Sequence, residues 1–234
     1  MNDMAHLPLA LTDNDIYERI VEAVLDHRLA PGTRLGEEKL GRVFGVSRTR
    51  IRQVLVRLAA EQIVELAHNR GASIASPTPA EAQEVFEARI LIELPLLEAF
   101  IDKADDTEVA ALAALFADEQ RACTQGDRRA AIRLSGEFHT AIAQGARNRT
   151  LERILRELIP RSSLILMASE QHSGHELCGC GENEHQALLE AIQARNTRLA
   201  LRLMKSHLRH ILAGIRFRTP REAQADIEHL FREN

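Results

Sequence analysis

Apolar residues recur along most of this chain at spacings of three and four, the period of an amphipathic helix. Ile16, Ile20, Val21, Val24 and Leu25 share one face and predict a first helix, with Asp13 or Asp15 as its cap. Leu40, Val43 and Phe44 predict a short second helix, which Gly45 ends. Ser47 suits the cap of a third helix that turns Ile51, Val54, Leu55 and Leu58 inward. The period then changes. Ile63 to Leu66 and Ala72 to Ala75 predict two short strands, joined by a turn at His68, Asn69, Arg70 and Gly71. Ser76-Pro77-Thr78-Pro79 stops both kinds of element, because proline removes a backbone donor and restricts the residue before it.

Helical spacing returns after this break and holds to the end. Helices are predicted over residues 81–103, 107–125, 128–144, 150–169, 184–195 and 197–217, with Pro95 as a kink in the first and Asp127 capping the third. A Gly-, Cys- and His-rich loop, QHSGHELCGCGEN, separates the fourth from the fifth, and a polar tail begins at Pro220. The expected fold class is mainly α. An N-terminal winged helix-turn-helix occupies residues 1–76, a linker 77–80, and an all-α antiparallel helical bundle 81–234.

Charge sharpens the N-terminal reading. The stretch KLGRVFGVSRTRIRQVLVR, residues 39–57, carries six cations and no Asp or Glu, in a chain whose net charge is −4. A basic stripe confined to two short helices points to a polyanion. Two helices about a glycine turn, with Arg, Thr and Gln opening the second, form a helix-turn-helix for duplex DNA. Arg48, Thr49, Arg52 and Gln53 face away from the apolar side and are candidates for the grooves, since Arg pairs with guanine and Gln with adenine. Arg50 adds a phosphate or base contact, and Lys39 and Ser47 flank the same surface. A hairpin directly after such a helix is a wing, so Asn69, Arg70 and Gly71 at its tip face phosphate or the minor groove, or serve only as turn residues. Arg34 is either a phosphate contact or a solvated turn residue.

Composition narrows the alternatives. Aromatics are 3% with no Trp, which argues against a base-stacking binder of RNA or single strands. No apolar run approaches membrane-spanning length, so no membrane partner is expected. Three cysteines and no export signal fit a reducing cytoplasm rather than a disulfide scaffold. Cys123 is expected to pack in a helix interface. His172, His175, Cys178 and Cys180 form either a loose second zinc site or a plain loop.

At this point the residues carry a resemblance. PGTRLGEEKLGRVFGVSRTRIRQVLVRLAAEQIVELAHNRGASIA resembles the winged helix-turn-helix of the GntR family of bacterial transcription regulators. EFHTAIAQGARNRTL, EHQALLEAIQARN and RLMKSHLRHI resemble the FadR-type ligand-binding domain, called FCD. The resemblance spans residues from about 14 to 216. It implies a homodimer, a palindromic operator and a small carboxylate or sugar-acid effector. It implies DNA contacts from Arg48 and Arg52. It implies a divalent metal, Zn²⁺ or Ni²⁺, on His139, His185 and His207. Family members add an Asp one helical turn before the first of these His. Here that place is Ser135, so three imidazoles are completed by water and effector, or metal affinity is lower. Arg89 matches an Arg that reaches an effector carboxylate; a surface salt bridge is its other reading. His210 is a fallback ligand.

The function implied is a metabolite-responsive transcriptional regulator, a repressor by the commoner outcome. A metal-dependent enzyme with a DNA-binding module is a second reading. It lacks a general base of the H-E-x-x-H kind. An effector-independent architectural DNA binder is a third, which a bundle of this size exceeds.

Overall fold

The computed structural model describes residues 11–67, 71–169 and 184–217. Among them the order is α1 (Asp13–Leu25), β1 (Arg34–Leu35), α2 (Glu37–Phe44), α3 (Arg48–Ala60), β2 (Val64–Ala67), β3 (Gly71–Ile74), α4 (Pro79–Lys103), α5 (Asp106–Thr124), α6 (Arg128–Gly145), α7 (Arg149–Ala168), α8 (Glu184–Gln193) and α9 (Thr197–Gly214). The mainly α class, the winged helix-turn-helix and the helical second half are all present.

Two cores divide the chain. Ile16, Ile20 and Val24 of α1 meet Ile51, Val54, Leu55 and Leu58 of α3, and Ile63 and Ile74 close the floor. The sheet is antiparallel in the order β1-β3-β2, with Leu35 opposite Ala72 and Val64 opposite Ile74. The short extended piece that the sequence suggests after the Pro31-Gly32 turn, residues 33–35, is the strand Arg34–Leu35. The second core joins Phe86, Leu97 and Phe100 of α4 to Phe138 of α6, Leu188 and Ile192 of α8, and Met204 and Leu208 of α9. Gly145 lets α6 approach α4 closely: a Cβ there would sit 2.5 Å from the Phe100 ring.

Boundaries move for reasons of capping. Thr12, not Asp13 or Asp15, caps α1: its side chain accepts from the Asp15 amide, and Asp15 returns the bond. Thr78 does the same with Glu81 for α4, so Pro79 opens a helix instead of ending a linker. Proline fits there because its missing donor would have no partner in the first turn. α4 runs through Pro95, and α7 runs through Pro160. Val43, expected inward on α2, is 68% exposed. Cys123 is half-buried beside Ala122 and Leu134, in line with the packing role expected of it. Asn69 and Arg70 at the wing tip, the loop with His172, His175, Cys178 and Cys180, and the tail from Pro220 lie outside the described residues.

Candidate functional site

The helix-turn-helix is set by local chemistry. Gly45 caps α2 at φ 68°, a left-handed conformation that glycine adopts without a Cβ penalty. Ser47 then accepts from the Arg50 amide and starts α3. The buried face of α3 leaves Thr49, Arg52 and Gln53 exposed. Arg34, Lys39 and Ser47 are exposed on the flank, as is Gly71 at φ 82° where the wing returns. Arg34, Lys39 and Arg52 form no ion pair among the described residues. Arg48 is paired with Glu37 of α2, yet its side chain stays 75% exposed. Such a pair contributes little in water and exchanges readily for a phosphate.

Arg50 behaves differently from expectation. It is half-buried, donating from Nε to Asp13 at 2.7 Å and from Nη2 to the Leu11 carbonyl at 2.6 Å. Its guanidinium is committed to the start of α1, so it braces α3 rather than offering a free donor.

In the helical half, His139 on α6, His185 on α8 and His207 on α9 come together, each at most 2% exposed. One ring nitrogen from each lies within 4.8 Å of the others. The His207 Nε2 stands 3.2 Å from that of His185 and 3.3 Å from that of His139. Nitrogens held about 2.0–2.1 Å from a tetrahedral ion are separated by about 3.3 Å, so the spacing fits such a centre.

Three glutamates, which the sequence reading missed, explain the orientation. Each His uses Nδ1 on a carboxylate: His139 on Glu93 at 2.5 Å, His185 on Glu119 at 2.8 Å, and His207 on Glu184 at 2.9 Å. Nδ1–H donates, which leaves the Nε2 lone pairs aimed inward at one another, as metal-binding imidazoles require. Burial pushes the His139 imidazole down to about 4, so it is neutral and able to ligate. Burial alone would raise the Glu93 carboxyl, but Arg89 and His139 outweigh it and hold it low. Likewise Glu184 is held low by His207 and His210 against the pull of burial. Three carboxyl groups and one guanidinium thus support the imidazoles from behind, the arrangement that metal-binding histidines use. The donor set therefore fits a metal. No signal in the sequence marks Glu93, Glu119 or Glu184; they come from three helices and meet only in the fold.

His210 is 65% exposed in its side chain and shares Glu184 from outside. Glu137 pairs with Arg133 and points away. Beside the histidines is a cavity of about 20 Å³, lined by His139, Arg89, Ser135, Ser162 and Ser163 together with apolar residues. Arg89 is 4% exposed, so the surface salt bridge is not its role. Its Nε donates to Glu93 at 2.6 Å, while its Nη2 is buried with no hydrogen-bond partner. An orphaned guanidinium donor beside a cavity is costly unless an acceptor arrives there.

Comparisons with known proteins agree with this division. The description "Bacterial regulatory proteins, gntR family" matches residues 12–74, and "FCD domain" matches residues 84–210, more than half the chain. The HTH-type transcriptional repressor GlaR of Escherichia coli is 27% identical over 210 residues, covering 86% of this chain and 94% of GlaR. The gluconate operon transcriptional repressor of Bacillus licheniformis is 35% identical over 80 residues, 34% of this chain and 31% of that protein. Among solved structures, E. coli McbR/YncC superposes with a TM-score of 0.77 at 19% identity, covering 86% of this chain and 95% of its own, a likeness of fold. A helix-turn-helix with a free basic edge and a histidine-lined bundle are thus the two halves of a known arrangement: this chain belongs to the GntR family of bacterial regulatory proteins and carries an FCD domain.

Proposed function

We propose that this protein is a metabolite-responsive transcriptional repressor of the cytoplasm. A homodimer binds a palindromic operator in double-stranded DNA, and a small organic acid releases it. Arg48 and Arg52 read or grip the major groove, with Thr49, Gln53, Lys39, Ser47 and Arg34 around them, and Asn69, Arg70 and Gly71 add the contacts expected of a wing. In the helical half, His139, His185 and His207 hold a divalent ion, with Zn²⁺ favoured over Ni²⁺ by the tetrahedral spacing. Ser135 offers a neutral hydroxyl, a weaker ligand than a carboxylate, so the ion keeps a position for the carboxylate of the acid. Arg89 supplies the second grip.

The observation that carries this reading is the buried Arg89 Nη2 without an acceptor, beside three imidazoles whose lone pairs converge. A carboxylate bridging the metal and a guanidinium satisfies both at once. The effector reading also draws on the relatives named as repressors, one of them of a gluconate operon. The test is thermal unfolding of the metal-loaded protein against a panel of organic and sugar acids, repeated with chelator. One acid should raise Tm, chelator should abolish the rise, and the same acid should dissociate the protein from its own upstream DNA. An acid response indifferent to chelator overturns the metal-bridged site. Turnover of any acid in the panel would favour a metalloenzyme instead.

A further inference from the structure

The cavity is not built by the helical bundle alone. Leu25, the last residue of α1, lines it together with Arg89, His139 and Ile211. Yet α1 belongs to the N-terminal core through Ile16, Ile20 and Val24. Ser163 of α7 is shared between the two halves: it lines the cavity, and its Oγ lies 3.1 Å from Nε2 of His27. Its neighbour Leu164 is 1% exposed inside the N-terminal core. On the other side, Asp26 meets Arg133 of α6 at 3.5 Å.

The end of α1 is also unusual in its backbone. The His27 amide bonds to Val24 and the Arg28 amide to Ala23, the paired bonds of a helix end that normally places glycine at the left-handed position. Here that residue is His27, at φ 55°. A non-glycine residue there carries a conformational cost of about 1 kcal/mol, and the ring it retains is the one that reaches Ser163.

We infer that the DNA-binding half senses the ligand directly: Leu25 is the yielding wall of the cavity, and the Ser163–His27 contact ties cavity occupancy to the seat of α1 on the bundle. This rests on the effector reading of the cavity and names its route of regulation. A space of about 20 Å³ holds little more than one water, so an organic acid must move a wall. The bundle walls share one close-packed core, whereas α1 meets the bundle through a thin seam of Leu25, Leu164, Met167 and the two polar contacts. The seam gives way first. The opposite end of α1 is fastened to the recognition helix through Asp13 and Arg50. A 13-residue helix is about 20 Å long, so displacement at Leu25 arrives at α3 as a change in its angle.

Amide hydrogen exchange on the full-length protein tests this without any acid. Ile211→Phe adds bulk to another lining residue of the same cavity. Exchange across residues 23–28 should then accelerate about tenfold, because the end of α1 loses its seat. Adding Leu25→Ala makes room and should return exchange to within about twofold of wild type, a coupling that independent sites do not show. Should Ile211→Phe fail to fold, Ser163→Ala carries the test alone, with faster exchange expected at residues 26–28 and no change in the α2–α3 turn. Unchanged exchange at the end of α1 in whichever variant folds, or a double variant that merely adds its two parts, overturns the inference. Since no acid enters these measurements, a responsive α1 in a protein that no acid stabilises would refute the effector reading and leave the seam standing.

Discussion

Arg50 and Arg52 are two residues apart in sequence and do different work. Arg52 is exposed with no ion pair among the described residues, while Arg50 is spent on Asp13 and Leu11. Arg52→Ala should therefore weaken operator binding by about 1–3 kcal/mol with Tm nearly unchanged. Arg50→Ala should lower Tm, measured by thermal unfolding, through loosening of α1. Charge pattern alone ranks the two equally; only the partner across the fold separates them. The same limit hid the carboxylates behind the histidines. His139, His185 and His207 were legible through motif resemblance, but Glu93, Glu119 and Glu184 look like ordinary helical glutamates until three helices converge. Glu119→Gln should leave the helical content intact and weaken zinc binding about 10–100-fold, read by competition with a chelating dye, because the supporting acceptor for His185 is lost.

At the scale of elements, the apolar period located every helix among the described residues, and apart from the outward-facing Val43 the errors fell at the ends. Thr12 caps ahead of two acidic residues that also suit the position, while Thr78 stands between two prolines that signal a stop, although the first helical position tolerates proline. The strand at Arg34 and Leu35 is legible as an extended piece after the Pro31-Gly32 turn, but its pairing with β3 is not. The close crossing of α4 and α6 is likewise silent in the sequence, since Gly145 sits in an otherwise regular helix. Gly145→Ala should destabilise the protein by about 1–3 kcal/mol, seen as a lower midpoint in urea, because its methyl meets the Phe100 ring rather than a flexible side-chain end.

At the scale of the molecule, the junction between the halves makes stability respond to acid. Burial first, then Arg128 and Arg129, push the His27 imidazole down to about 4 from its ordinary 6.5. The unfolded chain thus takes up a proton below about pH 6.5 that the folded chain refuses until about pH 4. The stability held by a neutral His27 is complete above that window and lost as pH falls through it. Tm of the metal-free protein should drop from pH 7 to pH 5, and His27→Gln should flatten part of that slope in the same scan.

Leu164 belongs by sequence to the helical half and by burial to the core of the other. The two halves therefore cannot be exchanged between relatives as if they were cassettes joined at a proline hinge. A chimera cut at Pro77 would inherit an α1 shaped for one bundle and an α7 shaped for another. Transplanting a sensor from this family onto a new operator specificity calls for moving the exposed face of α3 and the wing, and leaving α1 with the bundle it was born with.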